Sequence, residues 1–248
     1  MTVVFVHGNP ETDAIWGPLT AVLGRDDVVL LSPPGFGAPL PDGFGATMLE
    51  YRDWLESALE GIEGPIDLVG HDWGGGHVVN AVMHRPELVR SWVSDSVGLF
   101  DADYVWHDMA QVWQTAGAGE ESLDAMMGGG VPARTELMVS FGIPADVGAA
   151  LAEQQNDDMR KAILALYRSA AQPAMAEAGR ALEAAAARPG LSLQPTDDPF
   201  IGPHDNRRRA AERAGARVEV LEGLGHWWMV EDPHRGAAAL TAFWDSLG

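Results

Sequence analysis

The sequence predicts an α/β fold, with a mostly parallel sheet of about six strands flanked by helices. Two observations lead to this class. Short apolar runs recur along the chain, and stretches with helical character separate them, which is typical of a parallel sheet covered on both faces. The runs are Val3–Val6, Val28–Leu31, Ile66–Val69, Ser91–Ser94, Leu191–Gln194 and Val218–Leu221. Right-handed connections would then bring the loops after these strands to one edge of the sheet, where active sites of such folds form.

Several of these strands lead into loops whose residues can carry chemistry. The first leads into His7-Gly8-Asn9-Pro10, the third into Gly70-His71-Asp72-Trp73-Gly74, the fourth into Asp95, the fifth into Thr196-Asp197-Asp198-Pro199 and the last into Gly223-Leu224-Gly225-His226. We therefore expect these loops to form one site, with a nucleophile turn, an acid and a histidine in that order along the chain.

One long interval interrupts the alternation of strands and helices. Residues 101–188 contain no convincing strand, and their length is far greater than that of an ordinary connection between strands. We predict that this segment is a helical cap over the active edge of the sheet. The remaining ranges, 1–100 and 189–248, would form the core domain.

The composition excludes several classes of function. The net charge of −20 argues against nucleic acid or an anionic membrane as a partner, because both require a basic face. The one basic cluster, Arg207–Arg209 with Arg213, is predicted to be a solvated helix face. The chain has no cysteine, so disulfides, thiolate catalysis and cysteine-ligated zinc are excluded. It opens directly on a strand without a charged leader, which favours a cytoplasmic location. The oligomeric state leaves no signal.

The turn Gly70-His71-Asp72-Trp73-Gly74 has the pattern of a nucleophile elbow, with aspartate where most such turns carry serine. A carboxylate is already ionised at neutral pH and needs no base before it attacks. Its natural targets are electrophilic sp3 carbons that bear a leaving group, and the product is an ester on the protein. Asp72 is therefore the predicted nucleophile.

His226 is the predicted general base, which takes a proton from the water that hydrolyses this ester. An acidic partner would fix its tautomer and stabilise the imidazolium. We expect Asp198 to be that partner, and Asp95 is its rival. His7 and His71 are expected to bond within their own turns. No histidine shows metal-ligand spacing, so we expect neither a metal nor a cofactor.

Asn9 and Trp73 offer two neutral hydrogen-bond donors at the predicted site. Such donors suit a soft anion such as halide, because they stabilise it as it leaves without trapping it in an ion pair. The alternative is that both residues serve as an oxyanion hole and as packing. Four further side chains are expected to line a pocket for a small apolar substrate: Trp106, Met109, Trp113 and Trp227.

These motifs resemble the α/β-hydrolase superfamily, and within it the aspartate-nucleophile branch of haloalkane dehalogenases and epoxide hydrolases. The dehalogenase resemblance comes from His7–Pro10 with Trp16 downstream, from Gly70–Gly74, and from Met109–Glu121, which looks like the first cap helix of that family. It implies that Asn9 and Trp73 hold the departing halide. Fluoroacetate dehalogenases, another group in this branch, usually have a positively charged residue at the position of Trp73. The tryptophan therefore argues against a resemblance to that group.

Other residues are more similar to epoxide hydrolases. Glu11 after Pro10 matches their turn, and Tyr167 lies in a segment similar to the one that supplies a ring-opening tyrosine. Where their second cap tyrosine is expected, the chain has Met109, although Tyr104 lies nearby. Carbon–halogen cleavage is thus the first expectation and epoxide opening the alternative. A non-catalytic module that binds a small ligand is a third hypothesis, and a serine esterase lacks its serine at the elbow.

Overall fold

The computed structural model describes all residues from Met1 to Gly248 and confirms the predicted α/β class. Its six strands form one sheet in the order β2-β1-β3-β4-β5-β6, and every neighbouring pair is parallel. The strands are β1 (Thr2–Val6), β2 (Val28–Leu31), β3 (Ile66–Gly70), β4 (Ser91–Ser94), β5 (Gly190–Pro195) and β6 (Ala216–Leu221). All carboxyl ends therefore lie at one edge of the sheet, and the loops that follow them are neighbours.

Apolar side chains cover both faces of the sheet, as alternation along β1 demonstrates. Val4 and Val6 belong to a cluster of 37 buried residues on one face. Val3 and Phe5 belong to a second cluster of 23 buried residues on the other face. A strand buried on both faces reads as a continuous apolar run, which is why β1 is visible in the sequence.

Twelve α-helices surround the sheet: α1 (Gly17–Leu23), α2 (Met48–Glu60), α3 (Trp73–His84), α4 (Asp108–Gln114), α5 (Ala118–Met127), α6 (Val131–Ser140), α7 (Ala145–Gln154), α8 (Asp157–Ser169), α9 (Ala174–Ala178), α10 (His204–Arg213), α11 (Trp228–Glu231) and α12 (Pro233–Asp245). Short 3-10 helices lie at Asp13–Trp16, Pro86–Leu88, Val97–Phe100 and Gly179–Ala187. None of the helices combines the length and the apolar character needed to span a bilayer.

Local signals start several of these helices. Thr47 and Glu50 form a capping box at the start of α2, in which each side chain accepts a bond from the other's backbone N–H. The Asn156 side chain accepts a bond of 3.0 Å from the backbone N–H of Met159 and so caps α8. These bonds satisfy backbone donors that the first turn of a helix leaves free.

The segment between β4 and β5 contains α4 to α9 and no strand. Its buried side chains, such as Trp113 and Leu166, belong to the same apolar cluster as Val4 and Leu68 of the sheet. The helical segment and the sheet therefore share one core. Its division from the rest as a cap of residues 101–188 stays a prediction.

Candidate active site

Asp72 lies at the sharp turn between β3 and α3. Its backbone has φ 51° and ψ −124°, a conformation that non-glycine residues rarely adopt and that is strained. The flanking glycines are required by close approach. A Cβ on Gly70 would lie 2.4 Å from the carbonyl oxygen of Gly74, and one on Gly74 would lie 2.1 Å from the carbonyl oxygen of Val6. The turn therefore raises the Asp72 side chain at the edge of the sheet, as a nucleophile elbow does.

The two oxygens of the Asp72 carboxylate have different surroundings. Oδ1 accepts a hydrogen bond of 3.0 Å from the backbone N–H of Asn9. Oδ2 lies 3.7 Å from Nε2 of His226, beyond hydrogen-bond distance. The Asp72 side chain is 13% exposed. One oxygen is thus held by the backbone, and the other faces the histidine.

His226 follows β6 and is paired with an acid from the loop after β5. Its Nδ1 lies 2.7 Å from Oδ2 of Asp198, and Oδ1 of Asp198 accepts a bond of 2.7 Å from the backbone N–H of Phe200. An ionised carboxylate only accepts hydrogen bonds, so the hydrogen on this side of the ring belongs to Nδ1. In the neutral ring, Nε2 then carries a lone pair that faces Asp72. The structure pairs Asp198, not Asp95, with His226.

Asp95 instead supports the elbow from the loop after β4. Its Oδ1 accepts a bond of 2.9 Å from the backbone N–H of Asp72, and its Oδ2 lies 2.6 Å from Nδ1 of His71. The indole of Trp228, two residues after His226, donates to the same Oδ2 at 2.8 Å. Asp95 thus joins the nucleophile turn to the histidine loop.

The two structural histidines differ from each other. Nδ1 of His7 lies 2.9 Å from the carbonyl oxygen of Gly8, so His7 bonds within its own turn. For His71 the same expectation is wrong, because both of its ring nitrogens contact residues of other loops. Nδ1 meets Asp95, and Nε2 lies 3.1 Å from Oε1 of Glu11. Glu11 is fully buried, and its place beneath the site could not be inferred from the sequence motif alone.

Arg207 holds the loop that carries Asp198. Its guanidinium donates to the carbonyl oxygens of Gly202 at 2.7 Å, Pro195 at 2.7 Å and Asp198 at 2.6 Å. The side chain is buried, whereas the sequence predicted a solvated helix face. That prediction is wrong for Arg207, because the basic run on α10 does not reveal which of its members turns towards the sheet. The neighbouring Arg208 is exposed.

Burial and charge set the protonation of these groups. Burial raises the pKa of Asp72 to about 6, against the opposing effects of His226 and His71. Burial also opposes ionisation of Asp198, but the positive charge and hydrogen bond of His226 hold the pKa of Asp198 at about 2. Burial lowers the pKa of His226, but the carboxylates of Asp198 and Asp72 together raise it above its ordinary value. At neutral pH both carboxylates can therefore be ionised.

A small cavity of about 30 Å³ adjoins Asp72, well below the usual volume of a small-molecule site. Seven of its 12 lining residues are hydrophobic, which suits an apolar ligand. The lining residues are Asn9, Pro10, Asp72, His107, Met109, Trp113, Met126, Phe141, Tyr167, Phe200, His226 and Trp227. Both the sheet loops and the helical segment thus contribute to its wall.

Of the four side chains expected to line the pocket, Met109, Trp113 and Trp227 lie on its wall. Trp106 does not, and that expectation is wrong. Its indole N–H donates to the carbonyl oxygen of Ala170 at 3.2 Å, and its ring stacks on Trp73 at 5.5 Å between centroids. It therefore packs behind the nucleophile turn. Pattern alone cannot separate a wall aromatic from a packed one, since both are buried.

Asn9 and Trp73, the two expected anion donors, both contact Tyr167. The side-chain Nδ2 of Asn9 donates to the hydroxyl of Tyr167 at 3.2 Å, and the ring of Trp73 packs edge-on against the ring of Tyr167 at 5.4 Å between centroids. Burial raises the pKa of Tyr167 well above its ordinary value, so the phenol stays protonated. The hydroxyl of Tyr104 instead donates to the carbonyl oxygen of Phe200 at 3.0 Å. Only one of the two tyrosines considered from the sequence thus lies on the cavity wall.

Glu11, His71 and His226 place their ligand atoms within 4.8 Å of one another, which is close enough to hold a metal ion. The geometry of His71 argues against this use. Both of its ring nitrogens already contact carboxylate oxygens, so neither offers a lone pair to a metal. The cluster fits a hydrogen-bonded network better than a metal centre.

Solved structures share this architecture at low sequence identity. The haloalkane dehalogenase DbeA from Bradyrhizobium elkani is 22% identical, with a TM-score of 0.74, covering 99% of this chain and 90% of that one. E-2-(acetamidomethylene)succinate hydrolase is 18% identical, with a TM-score of 0.69 and coverage of 98% and 91%. A thioesterase domain from the curacin biosynthetic pathway is 14% identical, with a TM-score of 0.70 and coverage of 97% and 90%. Likeness at these identities shows the fold alone.

A search of curated protein sequences gave no significant match. A family model described as the alpha/beta hydrolase family matches residues 3–239, nearly the whole chain. The match agrees with the parallel sheet and with the order of elbow, acid and histidine at its carboxyl edge. The chain therefore belongs to the alpha/beta hydrolase family.

Proposed function

We propose that this chain is a hydrolase that forms a covalent ester between Asp72 and a small apolar substrate, and then hydrolyses that ester. The observation that carries the proposal is the asymmetric setting of the carboxylate. Oδ1 is bonded by the backbone of Asn9, while Oδ2 faces the cavity side near His226. A residue that served packing alone would not need a strained backbone and an unbonded oxygen beside a histidine.

In the first step, Oδ2 of Asp72 attacks an electrophilic carbon, and the leaving group departs with the electron pair of the broken bond. The carboxylate is ionised at neutral pH because its pKa of about 6 lies below 7. The burial that raises this pKa also strips water from the attacking oxygen, which favours attack in an apolar cavity.

In the second step, a water attacks the carbonyl carbon of the ester, and Nε2 of His226 takes its proton. The negative charge that develops on Oδ1 is stabilised by the backbone N–H of Asn9, which already bonds this oxygen, and the backbone N–H of Trp73 is the proposed second donor. The bond between Cγ and Oδ2 then breaks, and the alcohol leaves with Oδ2 and the proton held by His226. The carboxylic acid that remains, which contains the oxygen of the attacking water, loses its proton to solvent and so restores the carboxylate. Asp198 stabilises the imidazolium throughout.

For the leaving group, our first candidate is halide, so that the chain would cleave a carbon–halogen bond. Asn9 brings a neutral side-chain donor to the hydroxyl of Tyr167, and the indole of Trp73 packs against the same tyrosine next to the reacting carboxylate. A halide ion that displaced this contact would find donors without a permanent positive charge. The haloalkane dehalogenase among the structural neighbours is consistent with this candidate.

Epoxide opening is the second candidate, and Tyr167 favours it. Its hydroxyl accepts from Asn9, while its own proton has no acceptor in the protein. A phenol in this state can donate to an oxygen that develops negative charge. An epoxide oxygen freed by attack of Asp72 needs such a donor, whereas a halide does not.

The covalent step is tested first. In His226→Phe, a brominated or epoxide substrate should leave an ester on the Asp72 peptide, which mass spectrometry detects. His234→Phe is a matched control, because His234 is exposed on α12, and it should show full turnover and no trapped ester. An unlabelled Asp72 peptide together with normal turnover in His226→Phe would overturn the proposal.

The leaving group is tested by assaying halide release and diol formation over panels of small substrates. If the chain is a dehalogenase, Tyr167→Phe should keep halide release within a few-fold and Asn9→Ala should lower it. If it opens epoxides, Tyr167→Phe should lower diol formation by about 10²-fold, the lower end of what a positioned proton donor contributes.

A further inference from the structure

Behind the proposed reacting groups lies a buried cluster of three titratable side chains. The ring of His71 lies between two carboxylates, with Nδ1 2.6 Å from Oδ2 of Asp95 and Nε2 3.1 Å from Oε1 of Glu11. All three side chains are cut off from solvent. Neither Glu11 nor His71 performs a chemical step in the proposed reaction.

Hydrogen bonding decides the charge of this cluster. Glu11 accepts from the indole N–H of Trp227 on Oε1 and from the backbone N–H of Gly8 on Oε2. Two N–H donors on one carboxyl group favour its charged form, so Glu11 is taken as ionised.

The same argument applies to Asp95. Its Oδ1 accepts from the backbone N–H of Asp72 and its Oδ2 from the indole N–H of Trp228. Each ionised carboxylate can only accept from the ring of His71, so both ring nitrogens must donate. A neutral imidazole has one N–H, whereas an imidazolium has two.

His71 is also next to both reacting groups. It precedes Asp72 in the chain, and its ring centroid lies 4.6 Å from that of His226. We propose that His71 is a permanent buried imidazolium, held by Glu11 and Asp95, and a positioning residue that favours the ionised form of Asp72 and disfavours protonation of His226. The proposal rests on the proposed function for the roles of those two residues, but not for the charge of His71 itself.

The signs of the surrounding charges support this role. Positive His71 and His226 both lower the pKa of Asp72, while Glu11 raises it. Positive His71 also lowers the pKa of His226, against Asp198 and Asp72, which raise it. The carboxylates Glu11 and Asp95 raise the pKa of His71 well above its ordinary value against the effect of burial, whereas burial holds the pKa of the neighbouring His7 low.

The effect on His226 changes during the proposed reaction. Before attack, the negative charge of Asp72 favours a protonated His226. Once Asp72 is an ester, that charge is gone, while the charge of His71 remains 4.6 Å away. The pKa of His226 therefore falls once the ester has formed, which favours the unprotonated ring that accepts a proton from water in the second step.

The cluster also ties together the loops that form the site. Glu11 comes from the loop after β1, His71 from the elbow and Asp95 from the loop after β4. The indoles of Trp227 and Trp228 connect the two carboxylates to the loop that carries His226. One cation thus holds these loops in register.

The first experiment reads the charge of His71 without turnover. Nitrogen-15 NMR of the unmutated protein should show a histidine with both ring nitrogens protonated through the neutral and mildly alkaline range. Assignment to His71 follows from the loss of this signal in His71→Gln. A His71 that loses one proton within this range would overturn the proposal, whether or not the chain is active.

The second experiment uses two variants that should act in opposite directions. Without the cation, His71→Gln should move the acid limb of the kcat/KM profile to higher pH by about one unit, the lower end of what an adjacent opposite charge does. Glu11→Gln removes a like charge near Asp72 and, where NMR shows that Asp95 alone still keeps His71 doubly protonated, should move the same limb to lower pH. His84→Gln is the matched control, since His84 contacts Glu56 at 2.9 Å but is far more exposed, and it should leave the profile unchanged.

A purely structural role would give a different pattern. If both variants lower kcat and leave the acid limb in place, or shift it in the same direction, the electrostatic role is wrong. Should His71→Gln fail to fold, the NMR measurement and Glu11→Gln still decide the question. If the ester on Asp72 is never trapped but His71 remains doubly protonated, the proposed function fails while the buried cation stands.

Discussion

Replacing Asp198 by asparagine should reverse the tautomer of His226, and the structure fixes the direction. Oδ1 of Asp198 accepts a bond of 2.7 Å from the backbone N–H of Phe200, so the amide oxygen of an asparagine would take that place. Its NH₂ group would then face Nδ1 of His226, where the carboxylate oxygen now lies at 2.7 Å. Nδ1 must become the acceptor, and Nε2 must carry the hydrogen. An Nε2–H cannot take a proton from water.

The loss should fall on one step. Attack by Asp72 needs no proton transfer to His226, whereas hydrolysis of the ester does. An asparagine in this position of a catalytic triad lowers the rate by about 10⁴-fold, which corresponds to about 5 kcal/mol of barrier. We expect a loss of this order in the rate of ester hydrolysis. The first alkylation step should stay fast, so the ester should accumulate on the Asp72 peptide.

The assay is a burst experiment with mass spectrometry of the labelled peptide. Asp197→Asn is the matched control, because Asp197 is the exposed neighbour and its side chain bonds only the hydroxyl of Thr196, at 3.0 Å, so this variant should keep full turnover. The reasoning is refuted if Asp198→Asn hydrolyses the ester at the unmutated rate, or if it loses the alkylation step and accumulates no ester.

Three further predictions concern stability. Gly74→Ala should lower the melting temperature, because its Cβ would lie 2.1 Å from a backbone oxygen, whereas nothing lies within 4 Å of a Cβ on Gly17, so Gly17→Ala should be neutral or stabilising. Leu240→Ala should cost about 2–5 kcal/mol in chemical unfolding, because Leu240 is fully buried, while exposed Val105→Ala should change it by less than about 0.5 kcal/mol. The pKa of Glu11 is lowered from 4.5 to about 2. Ionised Glu11 therefore stabilises the fold above pH 4.5, its ordinary pKa, and this stabilisation is lost as the pH falls towards 2. Melting curves of Glu11→Gln should therefore depend less on pH in this window.

The sheet could be predicted because its signal is local. Each strand appears as its own apolar run, and the predicted bounds differ from the observed ones by at most two residues, as at Ala216 of β6. The elbow could be predicted for a similar reason. Its glycines are required by contacts within the turn and with β1, so the pattern around Asp72 is short and specific.

The charged network beneath the site could not be predicted, because its contacts join distant parts of the chain. Glu11 and His71 are 60 positions apart, and Glu11 and Trp227 are 216 apart. Nothing local marks Glu11 as buried, since glutamate at a turn is usually solvated. Arg207 is similar, because only the path of the loop that carries Asp198 shows that three carbonyl groups converge on its guanidinium.

The bond from Asn9 to Tyr167 crosses from a sheet loop to α8, and it does so next to the proposed nucleophile. Outward displacement of α8 would separate this pair and let bulk solvent reach the carboxylate in the same motion. We therefore expect substrate to enter only while α8 is displaced and the ester to form only while α8 is in place. If α8 moves outward more slowly, kcat should fall even in a variant whose chemical steps are unchanged.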